Sequence, residues 1–283
     1  MRPELEKKVN RAIHLIQAAS KKAEEIGQPL EVAFSGGKDS AVILELAKMA
    51  KVNYRAIYKN TTVDQPGTIK YCKDNGVEIM QPKMSFLEII KKSGYPTRFK
   101  RKCCGYLKEY KILDYVILGI RSDESTKRKA LYKEPEKCKV YHNGGGKARH
   151  YFPILDWDLQ DLQEFIVERG IKLHSLYYDE NGNLDLTQRL GCLCCPLMSR
   201  KKRIAQFKKY KNMVKLYARG GGYWLDNHQV SKNASYFKDV YEWLCMSIFC
   251  ESLHEFHTRF GKNLFNDGID CKKFLEDYFN IKF

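Results

Sequence analysis

The sequence predicts an α/β fold: a parallel twisted sheet with helices on both faces, plus a C-terminal helical region. Three observations predict it. Short apolar runs alternate with helical stretches from Leu30 onward. A glycine-rich turn, Ser35-Gly36-Gly37-Lys38-Asp39-Ser40, lies between one such run and a helix. From Arg200 the pattern is helical and the cysteines thin out.

Each element has its own signal. Leu5, Val9, Ile13 with Ala12, Ile16 and Ala19 repeat at helical spacing over residues 4–26, and Gly27-Gln28-Pro29 ends the run. Leu30–Phe34 reads as a strand, the turn at 35–40 follows, and Ala41–Ala47 opens a helix. Tyr54–Tyr58 is a second strand, followed by a helix near 66–75 and a strand at Val77–Met80. Ser85 is suited to cap a helix over Phe86–Lys92. Tyr115–Ile120 is a fourth, fully apolar strand. Residues 132–150, lysine-rich with Gly144-Gly145-Gly146, read as a surface loop or hairpin, and Asp158–Arg169 as an amphipathic helix. The expected organisation is an N-terminal helix at 1–26, a nucleotide-binding α/β domain with the cysteines at 27–199, and a basic helical region at 200–283.

Composition excludes several classes. A chain of 283 residues, 43% hydrophobic, can bury a core, which argues against wholesale disorder. No run of 18 apolar residues exists, so no membrane span is expected. The charged start Met1–Glu6 leads into a helical pattern without an apolar signal segment, so a cytoplasmic protein is expected. Ten cysteines in such a chain point to a metal site or redox chemistry rather than a disulfide framework.

The turn at 35–40 carries the clearest chemistry. Gly36 and Gly37 let backbone N–H groups approach a phosphate, the following helix adds positive dipole, and Lys38 neutralises phosphate oxygens. Ser35 and Ser40 can donate hydroxyl bonds, and Asp39 can help hold Mg²⁺. It is not the GxxxxGK[ST] loop. Cys103-Cys104 and Cys192-Leu193-Cys194-Cys195 form two tight thiol groups, which suit zinc or an iron–sulfur cluster; buried packing cysteines or a metal-free redox pair are the plainer readings. Arg121 and Arg128 are guanidinium forks suited to phosphate or sulfate, with Glu124 as a partner for one of them and Lys102 and Lys108 as further cations toward the substrate.

The excess charge is +16. Segment 98–111 carries six Lys and Arg against Glu109, and segment 200–219 carries nine with no acid, so each charged run abuts one cysteine group. Either the cations offset an anionic nucleotide and cluster locally, or they form a track for nucleic acid; nine unopposed cations exceed a nucleotide's needs and favour the track. On this reading Lys38, the cluster cysteines and helix 200–219 line one face, with Tyr106, Tyr110, Tyr210, Tyr217, Tyr223 and Trp224 as candidates to stack on bases, although core packing is the plainer reading for most of them.

Several segments resemble one family. Ser35–Ser40 is similar to the loop of the PP-loop, or ATP-pyrophosphatase, superfamily, whose members bind ATP and commonly cut between its α- and β-phosphates. Arg101-Lys102-Cys103-Cys104 with Leu107-Lys108, Gly119–Ser125 with Arg128, Pro153–Trp157 with Asp161, and Arg189–Pro196 resemble, in order, segments of the phosphoadenosine-phosphosulfate reductase family in its iron–sulfur-bearing branch. The resemblance covers roughly residues 25–200. It implies an adenine nucleotide α-hydrolase-like fold and a nucleotide site of Ser35, Gly36, Gly37, Lys38, Asp39, Ser40, Gly119, Arg121 and Arg128. It further implies catalytic roles for Lys38, Asp39, Arg121 and Cys194, and a [4Fe-4S] cluster on Cys103, Cys104, Cys192 and Cys195. Cys194 is then the extra thiol, either an alternative ligand or a reactive non-ligand.

Two departures bear on activity. The loop keeps the Lys-Asp pair of the ATP-handling form, which sulfonucleotide reductases usually lack. The reductase's Glu-Cys-Gly-Leu-His tail is also absent; Cys250–His254 lacks its order and glycine, and Cys271 is only a weak substitute. The resemblance therefore implies an enzyme that uses ATP and Mg²⁺ to adenylate a substrate, releases pyrophosphate and supports sulfur transfer onto DNA or tRNA. The alternatives are an adenylyl-sulfate or phosphoadenylyl-sulfate reductase, with a sulfonucleotide in place of ATP, and a non-catalytic nucleotide-binding redox regulator. Expected partners are an adenine nucleotide and nucleic acid, with a cysteine desulfurase or other sulfur donor and a second copy of the chain left open.

Overall fold

A computed structural model describes residues 1–141, 145–228, 236–261 and 268–283. The chain divides into two compact units. The first comprises Met1–Asn60, Asp64–Pro82 and Lys108–Gly191; the second comprises Thr61–Val63, Lys83–Leu107 and Cys192–Phe283. The linear expectation placed both cysteine groups in the nucleotide-binding domain. By contacts they lie in the second unit, because residues 83–107 pack into the core built by the C-terminal helices.

The first unit is a six-stranded, mostly parallel sheet. Its strands are β1 (Leu30–Ala33), β2 (Tyr54–Lys59), β3 (Glu78–Met80), β4 (Tyr115–Leu118), β5 (Glu136–Tyr141) and β6 (Gly146–Tyr151), in the spatial order β3-β2-β1-β4-β6-β5. Only β5 runs antiparallel, pairing β6 at the edge. The segment read as a loop or hairpin is thus a hairpin whose second strand extends the sheet, with Tyr115 in register with Arg149. Of its glycine triplet, Gly144 lies outside the described residues. β1 sits centrally between β2 and β4, so its carboxyl end is flanked on both sides.

Helices α1 (Pro3–Glu24), α2 (Lys38–Ala50), α3 (Thr68–Asp74), α6 (Thr126–Leu131) and α7 (Leu159–Glu168) complete this unit. The α1 stripe, Leu5, Val9, Ala12, Ile16 and Ala19, is buried as its spacing requires and shares a core with Leu30, Val32 and Ile117 of the sheet. A capping box of Asp158 and Asp161 starts α7. Asp161 also holds α1, accepting from Lys8 Nζ at 2.6 Å and Arg2 Nη2 at 2.9 Å.

The second unit is helical: α4 (Phe86–Ser93), α5 (Lys102–Leu107), α8 (Arg200–Lys209), α9 (Lys211–Asn227), α10 (Val240–Phe249), α11 (Leu253–Phe260) and α12 (Cys271–Phe279). Ser85 and Glu88 form the expected capping box on α4. The basic run at 200–219 is two helices, broken at Tyr210, and its stripe of Phe207, Val214 and Tyr217 is fully buried. Gly220 and Gly221 let α9 pack closely on Ile90 and Tyr95; a Cβ at Gly221 would stand 2.2 Å from the Tyr95 hydroxyl. Among the described residues no helix is long and apolar enough to cross a membrane.

Candidate functional site

β1 ends at Ala33, and the turn carries the chain over its carboxyl end into α2. Gly36 has φ +77°, and a Cβ there would meet Leu190 Cδ2 at 2.7 Å, so conformation and space both call for glycine. Gly37 is the N-cap of α2 and no side chain caps the helix. Lys38 and Asp39 therefore stand in the first helical turn, three residues earlier than the apolar pattern placed its start. Ser40 Oγ donates to the Gly37 carbonyl at 2.8 Å, and Ser35 Oγ donates to Ser40 Oγ at 3.2 Å. The Tyr177 hydroxyl accepts from Lys38 N at 3.2 Å and Leu190 N at 3.4 Å, tying the loop to the segment before Gly191.

The charged groups converge here. Asp39 Oδ1 accepts from Arg121 Nε at 2.7 Å, and its Oδ2 lies 3.6 Å from Lys38 Nζ. Arg121 is 3% exposed and also donates to Asp123 Oδ2 at 3.0 Å. Burial pulls the Lys38 ammonium below its ordinary range; Asp39 opposes this, while Arg121 and Arg189 push the same way as burial. An arriving phosphate would push it back up. Gly119 closes the arrangement from β4: a Cβ there would lie 2.7 Å from the Asp39 carbonyl carbon. Its observed part is to let that strand end approach α2. Arg128 pairs with Glu124, which also accepts from Arg189 at 3.2 Å.

A cavity of about 360 Å³ opens at this loop, lined by Ser35, Ser40, Asp64, Gln65, Gly119, Arg128 and Gly191 among others. Its wall continues down the sheet to Glu31, Lys59, Tyr141 and His150. Glu31 is 2% exposed and accepts from Leu113 N at 3.1 Å; burial pushes its carboxyl up, against the pull of Lys59. Lys59 Nζ donates to the carbonyls of Lys108 and Tyr110, at 3.3 and 2.5 Å, and burial lowers it. The Tyr141 hydroxyl and His150 Nε2 are 2.9 Å apart, and burial, then Lys139 and Lys59, pull His150 down to about 4.

The sequence reading missed Tyr177, Glu31, Lys59, Tyr141 and His150. Glu31 alone left a signal: a charge in a strand whose neighbours are apolar. Tyr177 reaches Lys38 across 139 residues, and nothing local marks it.

All five clustered cysteines lie in the second unit. A hydrogen bond with Cys104, burial and the nearness of Cys104, Cys192 and Cys195 all push the Cys103 thiol up, so these four thiols share one neighbourhood. That donor set is chemically fit for a thiolate-bound group. Their present arrangement is not a ligand cage: among the described residues no three His, Cys, Asp or Glu side chains form a group that could hold a metal ion. Cys192 Sγ instead donates to Thr61 Oγ1 at 3.5 Å. Cys194 points away from water at 0% exposure, with φ +54°, its N–H donating to Gln206 Oε1 at 2.7 Å and its carbonyl accepting from Arg203 Nε at 3.0 Å. Cys250 and Cys271 are buried too.

The basic run at 200–219 is not unopposed in space. Arg200 pairs with Glu255 at 2.5 Å, Arg203 is buried, and Lys208 lies 4.2 Å from the centre of the Tyr278 ring. Tyr217, offered as a base-stacking residue, is in the core.

Residues 29–198 match the family described as phosphoadenosine phosphosulfate reductase domain. Two uncharacterised proteins of Methanocaldococcus jannaschii are similar to the chain. One is 28% identical over 207 residues, which is 68% of this chain and 47% of that protein. The other is 28% identical over 222 residues, or 69% and 43%. The chain thus spans less than half the length of these relatives. Among solved structures, phosphoadenylyl-sulfate reductase from Candida auris, as a phosphate complex, superposes with a TM-score of 0.44 at 19% identity over 68% of this chain and 96% of its own. The U34-tRNA thiolase NcsA from Methanococcus maripaludis, with its [4Fe-4S] cluster, gives 0.36 at 13% identity over 82% of both chains.

Proposed function

The chain belongs to the phosphoadenosine phosphosulfate reductase domain family, and from that premise we propose that it binds ATP at Ser35–Ser40, adenylates an acceptor with release of pyrophosphate, and supports sulfur transfer onto a nucleic acid. The observation that carries this reading is the loop itself: an α2 N-terminus with no side-chain cap, the buried Lys38 in its first turn, and the hydroxyl residues Ser35 and Ser40 lining the 360 Å³ cavity.

The geometry supports the following division of labour. Backbone N–H groups of the loop and Lys38 hold the β- and γ-phosphates and take up charge as pyrophosphate leaves. An acceptor oxygen attacks the α-phosphorus, the bond from that phosphorus to the bridging α–β oxygen breaks, and the acceptor becomes an adenylate. Asp39 and Arg121 brace the first turn of α2; Mg²⁺ brought by the triphosphate would compete with Arg121 for Asp39. A sulfur nucleophile then displaces AMP from the activated carbon. Cys103, Cys104, Cys192 and Cys195 would hold the [4Fe-4S] cluster, which supplies an iron site able to carry sulfide when bound. The burial of Cys250 and Cys271 weighs against a sulfonucleotide reductase, which needs an accessible nucleophilic thiol.

The test is pyrophosphate release from ATP by the anaerobically purified protein, with and without RNA or DNA, alongside its iron and sulfide content. Lys38→Ala is expected to lower release at least tenfold. Sulfite release from a sulfonucleotide, or ATP binding without turnover, would replace this reading with the reductase or the regulator.

A further inference from the structure

The second unit presents one aromatic ring almost wholly to water. Phe99 is 96% exposed, at the tip of a turn closed by two reciprocal hydrogen bonds: Thr97 N donates to the Lys100 carbonyl at 3.1 Å, and Lys100 N donates to Thr97 Oγ1 at 3.0 Å. The stem is anchored. Tyr95 is buried, stacks on Trp243 at 4.0 Å between ring centres, and donates its hydroxyl to the Tyr217 carbonyl at 3.0 Å. The ring is therefore held out by a fixed base.

Its surroundings are cationic. Arg98, Lys100, Arg101 and Lys102 flank it, all exposed, with no acid between them. Behind the turn, exposed Tyr106 and Tyr223 each carry a lysine over the ring, Lys92 at 5.4 Å and Lys91 at 4.8 Å. A single exposed phenylalanine is ordinary. A ring on an anchored turn that meets no cation or second ring among the described residues, inside an acid-free run of four cations, combines the two requirements of a single-strand platform: a face for a base and charge for its phosphates.

We infer that the Thr97–Lys102 turn is a docking site for single-stranded nucleic acid, with Phe99 stacking on an unpaired base and the flanking cations holding its phosphates. The inference rests on the nucleic-acid reading above and narrows it to an unpaired strand. It also gives that strand a place relative to the thiols: Cys103 follows Phe99 by four residues, at most about 14 Å of chain.

The experiment measures binding of a fluorescent single-stranded homopolymer and of a duplex of equal length to the whole protein, without ATP, at several salt concentrations. Phe99→Ala should weaken single-strand binding by about 5- to 150-fold, leave the salt dependence unchanged, and leave duplex binding within about twofold. Phe99→Trp should restore the affinity. Lys100→Ala should lower the slope of log affinity against log salt by about 0.7. Because Phe99 is 96% exposed, the variants should melt as wild type does. Three results overturn the inference: no single-strand binding by wild type at low salt, equal losses on strand and duplex in Phe99→Ala, or competition by polyglutamate as effective as the homopolymer's. Since ATP is absent throughout, these outcomes are independent of whether pyrophosphate release succeeds.

Discussion

Gly119 tests whether the phosphate loop is positioned as described. An alanine Cβ at this position would stand 2.7 Å from the Asp39 carbonyl carbon, 2.8 Å from its oxygen and 3.0 Å from its Cβ. The first two are backbone atoms of the first turn of α2, so no side-chain rotation relieves the overlap. Overpacking of this kind costs about 1–3 kcal/mol, which in a protein of this size lowers the melting temperature by roughly 2–12 °C. The displacement also acts on the site, because Asp39 holds Arg121 at 2.7 Å and neighbours Lys38. Gly119→Ala should therefore weaken binding of a non-hydrolysable ATP analogue by about tenfold, equivalent to about 1.4 kcal/mol. Gly222→Ala is the control: it lies within α9, a Cβ there meets nothing within 4 Å, and it should gain about 0.5–1 kcal/mol. Thermal denaturation and calorimetric titration read both effects. A Gly119→Ala protein that melts within a degree of wild type and binds the analogue equally well would refute the packing argument.

Two further perturbations probe the buried charges. His150 is held at about 4 in the folded chain against an ordinary 6.5, so the unfolded chain takes up a proton first and stability falls as pH drops through that window. Wild type should lose about 2–3 kcal/mol more than His150→Gln between roughly pH 7 and pH 4, measured by urea unfolding; parallel curves would contradict the burial argument. Asp39→Ala leaves the Arg121 guanidinium, 3% exposed, with only Asp123 as a carboxylate partner, and should cost about 3 kcal/mol in the same assay, with Asp39→Asn milder.

These charges mark the limit of what was legible in the sequence. Periodicity located α1, α7 and the first four strands because a buried face imposes its period on the chain. The phosphate loop was legible because its glycines meet a steric demand that shows as letters. The boundaries shifted where tertiary contact overrides pattern: α2 starts at Lys38 because Gly37 caps it, and β4 stops at Leu118 because Gly119 must pass against Asp39. The Arg121–Asp39 pair joins residues 82 apart and the Tyr177–Lys38 bond residues 139 apart; neither has a local signature. The edge hairpin β5–β6 is rich in charge, and so it read only as a surface loop or hairpin, with nothing to say that its second strand joins the sheet.

Charge along the chain was the least faithful guide to charge in space, and Arg203 shows why. In sequence it is one of nine cations at 200–219. In the fold it is 7% exposed and spends its donors on two backbone carbonyls and a hydroxyl: Nε to the Cys194 carbonyl at 3.0 Å, Nη1 to the Ser247 carbonyl at 2.5 Å, and Nη2 to Ser247 Oγ at 3.4 Å. It thereby fixes the loop bearing Cys192 and Cys195 to α8 and to α10. Removing it strands the buried Cys194 carbonyl and the part-buried Ser247 carbonyl, and a buried acceptor left unsatisfied costs about 1–3 kcal/mol, so Arg203→Ala should lose roughly 2–4 kcal/mol. Arg203→Lys should recover only part of this, because a single ammonium cannot reproduce the planar fork. Lys201, Lys202 and Lys215 are exposed, and their alanine variants should stay within about 0.5 kcal/mol of wild type. Urea unfolding of the five variants separates the two kinds of cation. If Arg203→Ala unfolds like Lys202→Ala, the run is a uniform surface strip after all, and the anchoring of the cysteine loop to α8 is mistaken.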